Sequence, residues 1–564
     1  MRARWVPVVV GVVLLAGCGL PLEEGVQRPG PAVERAAQPD GVDVLPPGPG
    51  VDDDALAVVE GFVDAQSSPQ DDHGIARQFL ADGVTWDDTE ARVFESRQNA
   101  VEERAGGDTS VVTVTYRLLG QVRADQTWVS APRTEKAVYR LRRAGTTWQL
   151  VDVPAGLHLS VRDRARSFRT RSVHFLAAVS SVGRLVAEPV FQPATAEPAQ
   201  ALVERLLQGP SAELAPAVRS ALPPGTRLRS RVERDGGTVV VDLDASAQQL
   251  GQPQRRQLSA QLVWTLRELE GFTTLRLRAG GAPLLVDGVQ EQSRDAWDEV
   301  APDGLPPQPV LLLSTDGGLR SVVAGAGGAA VVAGQPPRAD DVASSPAGDL
   351  VAVLTRTSEG TAVSTGPLTG PYTRRALVGP ATSPSWGSAE TGLFLVDRGR
   401  VRLLPLAGQE VVDVPVEGSG EGSGAVTALA VSRDGARVAL VRAGRLLVGR
   451  VDPVGAGVRI AGLRQVAPSL LDVLDVSWAD ATSLAVLARR GAAPGRIPFE
   501  VGVDGAEVVA DTRIGISPEP TAIAAAPGQP LTVAAGPAGE PVLFREVGPF
   551  FEPGPPGRVP VYPG

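Results

Sequence analysis

Cysteine, histidine and aromatic residues are scarce in this sequence of 564 residues. It has one cysteine and three histidines, and aromatic residues make up 4% of it. A single thiol cannot form an intrachain disulfide, so each domain must be stabilised by apolar burial. His73, His158 and His174 lie in different segments, and none has a second histidine or a cysteine at metal-ligand spacing. We therefore expect structural histidines and no metal site.

Several sequence signals of catalysis and nucleic-acid binding are also absent. There is no Walker loop, no Gly-x-Ser-x-Gly elbow and no dinucleotide fingerprint. The net charge is −10 and Lys136 is the only lysine, so the chain lacks the long basic run typical of a nucleic-acid binder. We predict no catalytic residues, no cofactor and no nucleic-acid partner.

Carboxylates are plentiful, and a hydrolase with paired carboxylates stays open on residue type alone. Three close pairs stand out: Asp242 with Asp244, Asp340 with Asp341, and Asp472 with Asp475. The simpler interpretation makes them strand-end and turn aspartates. A calcium site or a lactonase centre would instead need several inward oxygen ligands from different segments.

The first 18 residues have the order of a secretory leader that ends in the lone cysteine. Arg2 and Arg4 precede an apolar run over residues 6–16, and Leu15-Ala16-Gly17 leads directly into Cys18. The run is too short to span a bilayer, and no later stretch reaches about 18 consecutive apolar residues. An ordinary signal peptide with an incidental cysteine is the alternative. Leu-Ala-Gly-Cys resembles the bacterial lipobox, which implies cleavage after residue 17 and a diacylglyceryl thioether on Cys18, usually with an N-acyl chain such as palmitate.

Residues 18–50 contain many prolines and glycines and no periodic apolar pattern, so we predict a lipidated, disordered tether. Residues 51–165 then read as an α+β domain. Leu56, Val59 and Phe62 have helical spacing, whereas Val112 to Leu118 and Ala137 to Leu141 alternate with period two. This order of helices and long strands resembles the cone-shaped nuclear-transport-factor-2-like (NTF2-like) fold.

Residues 172–300 alternate helices and strands, which predicts an α/β domain. A helix over residues 199–208 stops at Gly209-Pro210, and a second helix carries Leu258, Leu262, Leu266 and Leu269. The segments LLQGP, LPPGT, DGGTVVVDLD, QLVWTL and AGGAPLLVDG resemble the GerMN domain of sporulation and germination lipoproteins.

Residues 305–564 lose the helical pattern and repeat pairs of short strands around a turn. Successive turns lie roughly 40 to 48 residues apart, and a four-stranded propeller blade needs about 40–45 residues. The turns are Ser345-Pro346-Ala347-Gly348, Pro384-Ser385-Trp386-Gly387, Ser432-Arg433-Asp434-Gly435, Trp478-Ala479-Asp480 and Ala526-Pro527-Gly528. We predict an all-β propeller of five or six blades in which Trp386 and Trp478 belong to the blade cores. A β-sandwich with coincidental spacing is the alternative.

The order of lipobox, tether, α+β domain, GerMN-like domain and propeller resembles the LpqB family of actinobacterial lipoproteins. The resemblance implies a non-enzymatic protein, lipid-anchored on the extracytoplasmic face of the cell membrane. Its implied partner is the extracellular part of an MtrB-like sensor histidine kinase, with effects on cell division and envelope homeostasis. Two alternatives remain: a lipoprotein that binds cell-wall glycan (peptidoglycan) or a small ligand, and a propeller-based envelope hydrolase.

Overall fold

The structure is a computed structural model and describes most of the chain from residue 46 onward. The described residues are 46–180, 183–194, 197–315, 318–322, 329–332, 338–388, 391–408, 410–418, 424–455, 457–537 and 540–564. The predicted signal peptide, Cys18 and the predicted tether up to residue 45 lie outside them.

The first domain consists of two helices packed on one five-stranded sheet, followed by a short third helix. Its elements are α1 (Ala55–Ala65), α2 (Gly74–Arg77), β1 (Ala91–Gly106), β2 (Thr109–Val122), β3 (Trp128–Ala144), β4 (Thr147–Asp152), β5 (Leu157–Ser160) and α3 (Val161–Ser167). The sheet order is β4-β3-β2-β1-β5, and only β5 pairs in parallel. Alternate residues of β2 are buried, as the period of two predicts. They pack beneath α1, whose first turn is capped by the Asp54 side chain, which accepts from the Ala57 N–H at 2.8 Å.

The second domain has two small sheets and two longer helices. Its elements are β6 (Phe168–Ala177), β7 (Leu185–Pro193), α4 (Pro198–Leu207), β8 (Val218–Arg219), β9 (Glu233–Asp235), β10 (Thr238–Leu243), α5 (Gln252–Leu266), β11 (Thr274–Ala279), β12 (Ala282–Pro283) and β13 (Glu291–Ser293), with 3-10 turns at Ala215–Ala217, Ala245–Gln249 and Asp298–Val300. Strands β10 and β11 are parallel and α5 connects them, which makes a βαβ unit. The four leucines predicted to face inward from the second helix are buried in the domain core.

The rest of the described chain forms six β-sheets, which settles the blade number at six. Blade one contains β14 (Leu311–Thr315), β15 (Gly318–Val322) and β16 (Ala329–Val331); blade two β17 (Asp341–Ser344), β18 (Leu350–Thr357), β19 (Gly360–Pro367) and β20 (Thr373–Val378); blade three β21 (Ala381–Trp386), β22 (Gly392–Asp397), β23 (Arg400–Pro405) and β24 (Val412–Asp413). Blade four contains β26 (Val426–Val431), β27 (Arg437–Arg442), β28 (Arg445–Val454) and β29 (Gly457–Gln465), with β25 (Val416–Gly418) beside β29; blade five β30 (Leu470–Trp478), β31 (Ser483–Arg490), β32 (Ile497–Gly502) and β33 (Val508–Ala510); blade six β34 (Pro520–Ala524), β35 (Thr532–Ala535), β36 (Val542–Val547) and β37 (Phe550–Pro556).

The last strand of the chain closes the ring. Strand β38 (Pro560–Val561) pairs with β14 as the fourth strand of blade one. Blade one therefore combines the first and last strands of the propeller, which leaves no unpaired gap between the ends of the ring. The five predicted turns lie at the ends of β17, β21, β26, β30 and β34, the strands that begin blades two to six, and two of them include the last residues of β21 and β30. Trp386 and Trp478 are buried and donate their indole N–H groups to the carbonyls of Ala343 and Ala430 in the preceding blades, at 3.3 and 3.0 Å.

The three domains contact one another within one compact unit. Arg437 of blade four donates to the Ala187 carbonyl of the second domain at 2.7 Å, and Ala436 is part of that domain's hydrophobic core. Ser130 of the first domain donates to the Gly505 carbonyl of blade five at 3.4 Å. The propeller is thus packed against both preceding domains.

Candidate functional site

The first candidate site is the channel between the innermost strands of the propeller. A cavity of about 260 Å³ is bordered by residues of β17, β21, β26, β30, β34 and β38, that is, by all six blades. Innermost strands expose one backbone edge to the channel, so peptide groups form much of its wall. The channel is therefore a candidate ligand site.

Arg433 borders the channel at the end where the innermost strands finish. Its Nε donates to the Pro563 carbonyl at 2.9 Å, Nη1 to the Trp478 carbonyl at 3.1 Å and Nη2 to the Ala525 carbonyl at 3.1 Å. Burial lowers the pKa of Arg433 to about 10, against the raising effect of Asp303 and two further aspartates. The side chain stays charged at neutral pH and joins three chain segments from different blades.

Asp341 and Asp475 occupy matching positions in blades two and five, which lie opposite each other in a six-bladed ring. Asp341 accepts from the N–H groups of Val342 and Ser383, both at 2.9 Å. Asp475 accepts from those of Val476 and Ile523, also at 2.9 Å. Each carboxylate therefore joins its own blade to the next one, an arrangement consistent with a structural role.

Burial sets the ionisation of these two carboxyl groups. It raises the pKa of Asp341 to about 7, and Asp475 across the channel adds to the effect. Burial likewise raises the pKa of Asp475 to about 6. Both carboxyl groups therefore release their protons at a higher pH than an exposed aspartate does.

The other paired aspartates are separated from the channel. Asp242 accepts from Arg229 at 3.1 Å, and Asp244 caps a 3-10 turn through the Ser246 N–H at 2.9 Å. Asp340 binds Arg338 at 2.7 Å, and Asp472 binds Arg496 at 2.7 Å. Within the described structure, none of these four aspartates shares a site with Asp341 or Asp475.

The three histidines are in separate places, and two of them are deeply buried. Burial lowers the pKa of His158 to about 4 and that of His174 to about 3. The His158 ring packs 5.3 Å from that of Tyr116, and the His174 ring 5.8 Å from that of Trp264. His73 lies beside Trp86, and burial lowers its pKa as well. All three rings therefore favour the neutral form.

Neither a cluster of metal ligands nor a membrane-spanning helix occurs among the described residues. Within those ranges, no three histidine, cysteine, aspartate or glutamate side chains converge as a metal-binding group. In the same part of the chain, no helix combines the length and the apolar character that crossing a bilayer requires.

A buried ion pair within the second domain places Arg205 against the first domain. Arg205 in α4 contacts Glu188 in β7 at 3.0 Å, with side chains only 1% and 5% exposed. Arg205 also donates to the carbonyl of Asp125 in the first domain at 2.6 Å and to that of Gly209 at 2.7 Å. Glu188 in turn accepts from the Ser211 N–H at 3.1 Å.

The sequence did not identify Arg205, Glu188 or Arg433 as residues that connect separate segments of the fold. Arg205 lies on the buried face of α4 together with Leu202 and Leu206, and an arginine at that spacing was the available signal. Arg433 stands in the predicted turn Ser432-Arg433-Asp434-Gly435, but the carbonyls that it binds lie 45 to 130 residues away. Such partners emerge only from the tertiary fold.

Comparison with known protein families matches three successive parts of the chain. Residues 48–165 match the family model described as "Lipoprotein LpqB, N-terminal domain". Residues 172–285 match "Sporulation and spore germination", and residues 310–563 match "Lipoprotein LpqB beta-propeller domain". These ranges follow the three folded units described above.

Curated relatives align with nearly the whole chain. Lipoprotein LpqB of Thermobifida fusca is 29% identical, with 92% of each chain covered. Lipoprotein LpqB of Mycobacterium tuberculosis is 28% identical, covering 98% of this chain and 97% of the relative. Among solved structures, TolB from Acinetobacter baumannii aligns with 56% of this chain and 86% of its own at 14% identity and a TM-score of 0.35. From its three matched domains and these relatives, the chain belongs to the LpqB family of actinobacterial lipoproteins.

Proposed function

We propose that this lipoprotein is a non-enzymatic accessory of a membrane sensor histidine kinase of the MtrB type, anchored through Cys18 on the extracytoplasmic face of the cell membrane. The main support is the packing of three domains into one unit, joined by the bond from Arg205 to the Asp125 carbonyl and by that from Arg437 to the Ala187 carbonyl. Such a unit presents one fixed surface to a partner, so little ordering entropy is lost on binding.

The channel carboxylates also fit this role better than a hydrolytic one. Asp341 and Asp475 each accept two backbone N–H groups and thereby hold neighbouring blades together. A general acid or a nucleophile needs its oxygens directed at substrate instead.

The mechanism that we propose relies on confinement to the membrane. The two acyl chains of one diacylglyceryl group give stable anchoring, whereas a single acyl chain binds only marginally. Tethering to the same membrane raises the effective concentration of a weak partner. The lipoprotein then shifts the kinase between two states by the difference of its affinities for them, and about 1.4 kcal/mol of difference gives a tenfold shift.

Photo-cross-linking in intact cells tests the proposed contact. A photoreactive amino acid is placed at Val138, Val289 or Phe550, one exposed apolar residue in each domain. We expect a covalent adduct with the kinase ectodomain from at least one position, identified by mass spectrometry. The same positions combined with Cys18→Ala serve as the control, because the released protein loses the membrane confinement. Adducts with envelope components but never with a sensor kinase would contradict the proposal.

A second candidate function is binding of a small ligand or a cell-wall glycan. It is favoured by the axial cavity of about 260 Å³ with its polar wall. Co-sedimentation with purified peptidoglycan tests it. If the wild-type protein sediments with the peptidoglycan, and soluble wall fragments reduce the amount that sediments, this function is supported. Recovery of all the protein in the supernatant contradicts it.

A further inference from the structure

A second cavity lies where the three domains meet, and no part of the proposed function uses it. It has a volume of about 70 Å³ and is bordered by Trp128 of the first domain, Glu188 of the second, and Arg437, Arg450 and Arg464 of the propeller. The three arginines come from β27, β28 and β29, three consecutive strands of blade four.

The arginines are placed where like charges repel. Arg437 and Arg450 lie directly opposite each other in the antiparallel pair β27–β28, and like charges in such positions destabilise a sheet. Burial lowers the pKa of Arg464, and the charges of Arg437 and Arg123 lower it as well. Asp504 and Glu213 raise it. Repulsion among these arginines therefore destabilises blade four where it meets the other two domains.

Arg437 lacks part of the hydrogen bonding that a buried guanidinium requires. The residue is 7% exposed, and its Nη2 donates to the Ala187 carbonyl at 2.7 Å. Its Nη1 is buried without a hydrogen-bond partner. A buried unsatisfied charged donor costs more than the ~1–3 kcal/mol of a neutral one. Arg450 and Arg464 meet mainly carbonyls here: those of Glu213 at 3.1 Å, and of Asp504 and Val503 at 3.1 and 3.3 Å.

The nearby carboxylates leave Nη1 of Arg437 without a hydrogen-bond partner. Three of them are already paired: Glu188 with Arg205 at 3.0 Å, Glu213 with Arg123 at 2.5 Å, and Asp452 with Arg450 at 2.8 Å. Asp434 and Asp504 offset the charges of Arg437 and Arg464, and burial raises the pKa of both carboxyl groups. The buried Nη1 of Arg437 still has no acceptor and can donate to a ligand.

The size and charge of the cavity define what it can hold. Its volume corresponds to two or three water molecules at roughly 30 Å³ each, too little for a sugar or a peptide. We propose that the cavity binds one small oxyanion, such as inorganic phosphate or sulfate, between Arg437, Arg450 and Arg464. The anion accepts charge-assisted hydrogen bonds, including one from the unpartnered Nη1 of Arg437. Since all three domains border the site, its occupancy ties them together.

Calorimetry and thermal unfolding test this proposal with the full-length protein in dodecyl maltoside, a detergent without phosphate. In buffer free of phosphate and sulfate, added sodium phosphate should raise the unfolding temperature more than sodium chloride of equal ionic strength. Arg437→Met should remove this difference and weaken phosphate binding by about ten- to a hundredfold. Arg445→Met is the matched control on β28, because Arg445 is exposed and does not border the cavity.

Two further measurements keep the test decisive. If Arg437→Met does not fold, Arg464→Lys keeps the charge but removes the planar fork, and it should also weaken phosphate binding. Crystals of the wild-type protein soaked in selenate should show anomalous density at the cavity. Equal responses to phosphate and chloride, an unchanged response in the arginine variants, or water alone at the cavity would each overturn the proposal.

Discussion

Removal of Arg205 is the sharpest test of how the domains are held together. The Arg205→Met variant leaves Glu188 charged in a site where its side chain is 5% exposed, and it takes a donor from the Asp125 and Gly209 carbonyls. Loss of one partner of a buried pair typically costs about 3–5 kcal/mol. We expect a loss of this size in the free energy of opening of α4.

Native-state hydrogen exchange is the appropriate assay, because a chain with three domains need not unfold in one step. Amide protection over α4 reports the local opening free energy directly. Combining Arg205→Met with Glu188→Gln should recover about 1–2 kcal/mol, since the buried charge is gone and the glutamine oxygen still accepts from the Ser211 N–H.

An exposed ion pair on the same domain provides the control. Arg231 contacts Glu197 at 3.1 Å, with side chains 80% and 51% exposed. Exposed pairs contribute at most about 1 kcal/mol, so Arg231→Met should leave α4 protection almost unchanged. If Arg205→Met costs no more than Arg231→Met, the buried pair and the bond to the Asp125 carbonyl do not stabilise α4 as described.

The remaining predictions concern the anchor, a buried histidine and the channel. Cys18→Ala should move the protein from the membrane to the soluble fraction with unchanged circular dichroism; retention in the membrane would refute the lipid anchor. His174 has its pKa lowered from 6.5 to about 3 by burial, with Arg267 next, so its contribution to stability is complete above pH 6.5 and falls as the pH drops toward 3. Over that pH range the free energy of unfolding, measured by urea titration, should therefore fall by several kcal/mol more in the wild type than in His174→Asn. The same pH dependence in both proteins would contradict this assignment. Arg433→Met removes three hydrogen bonds to carbonyls and should cost about 3 kcal/mol of propeller stability, measured by hydrogen exchange of β30 and β34; unchanged protection there would show that Arg433 does not join the blades.

Local periodicity predicted the strands and helices well, because burial on one face leaves a direct trace in the sequence. Val112 to Leu118 alternate in β2, and the leucines of α5 repeat at helical spacing, as the structure has them. The NTF2-like resemblance of the first domain and the domain limits themselves stay predictions. The lipidation of Cys18 also stays a prediction, because that residue lies outside the described part of the chain.

The number of blades could not be read from the repeated turns, and the reason is topological. Five turns lie at the ends of the strands that begin blades two to six, but the innermost strand of blade one is β38, which comes from the end of the chain. Two residues, Pro560 and Val561, do not stand out as a strand. Ring closure is a contact across some 250 residues, which a local pattern cannot reveal.

The candidate sites were still harder to foresee. Arg433 binds three carbonyls distant in sequence, and the cluster at Arg437 exists only because blade four meets the second domain. Each of these arginines occurs in an ordinary turn or strand. Their roles depend on burial by other domains, which composition and spacing do not encode.

Kinase activity in a defined membrane tests the central claim most directly. The sensor kinase is reconstituted in liposomes with the lipidated protein facing its ectodomain, and autophosphorylation is followed with labelled ATP. We predict that the rate changes in the presence of the lipidated protein, and that the Cys18→Ala variant at equal amount has a much weaker effect. An autophosphorylation rate that is the same with and without the lipidated protein would contradict the accessory role.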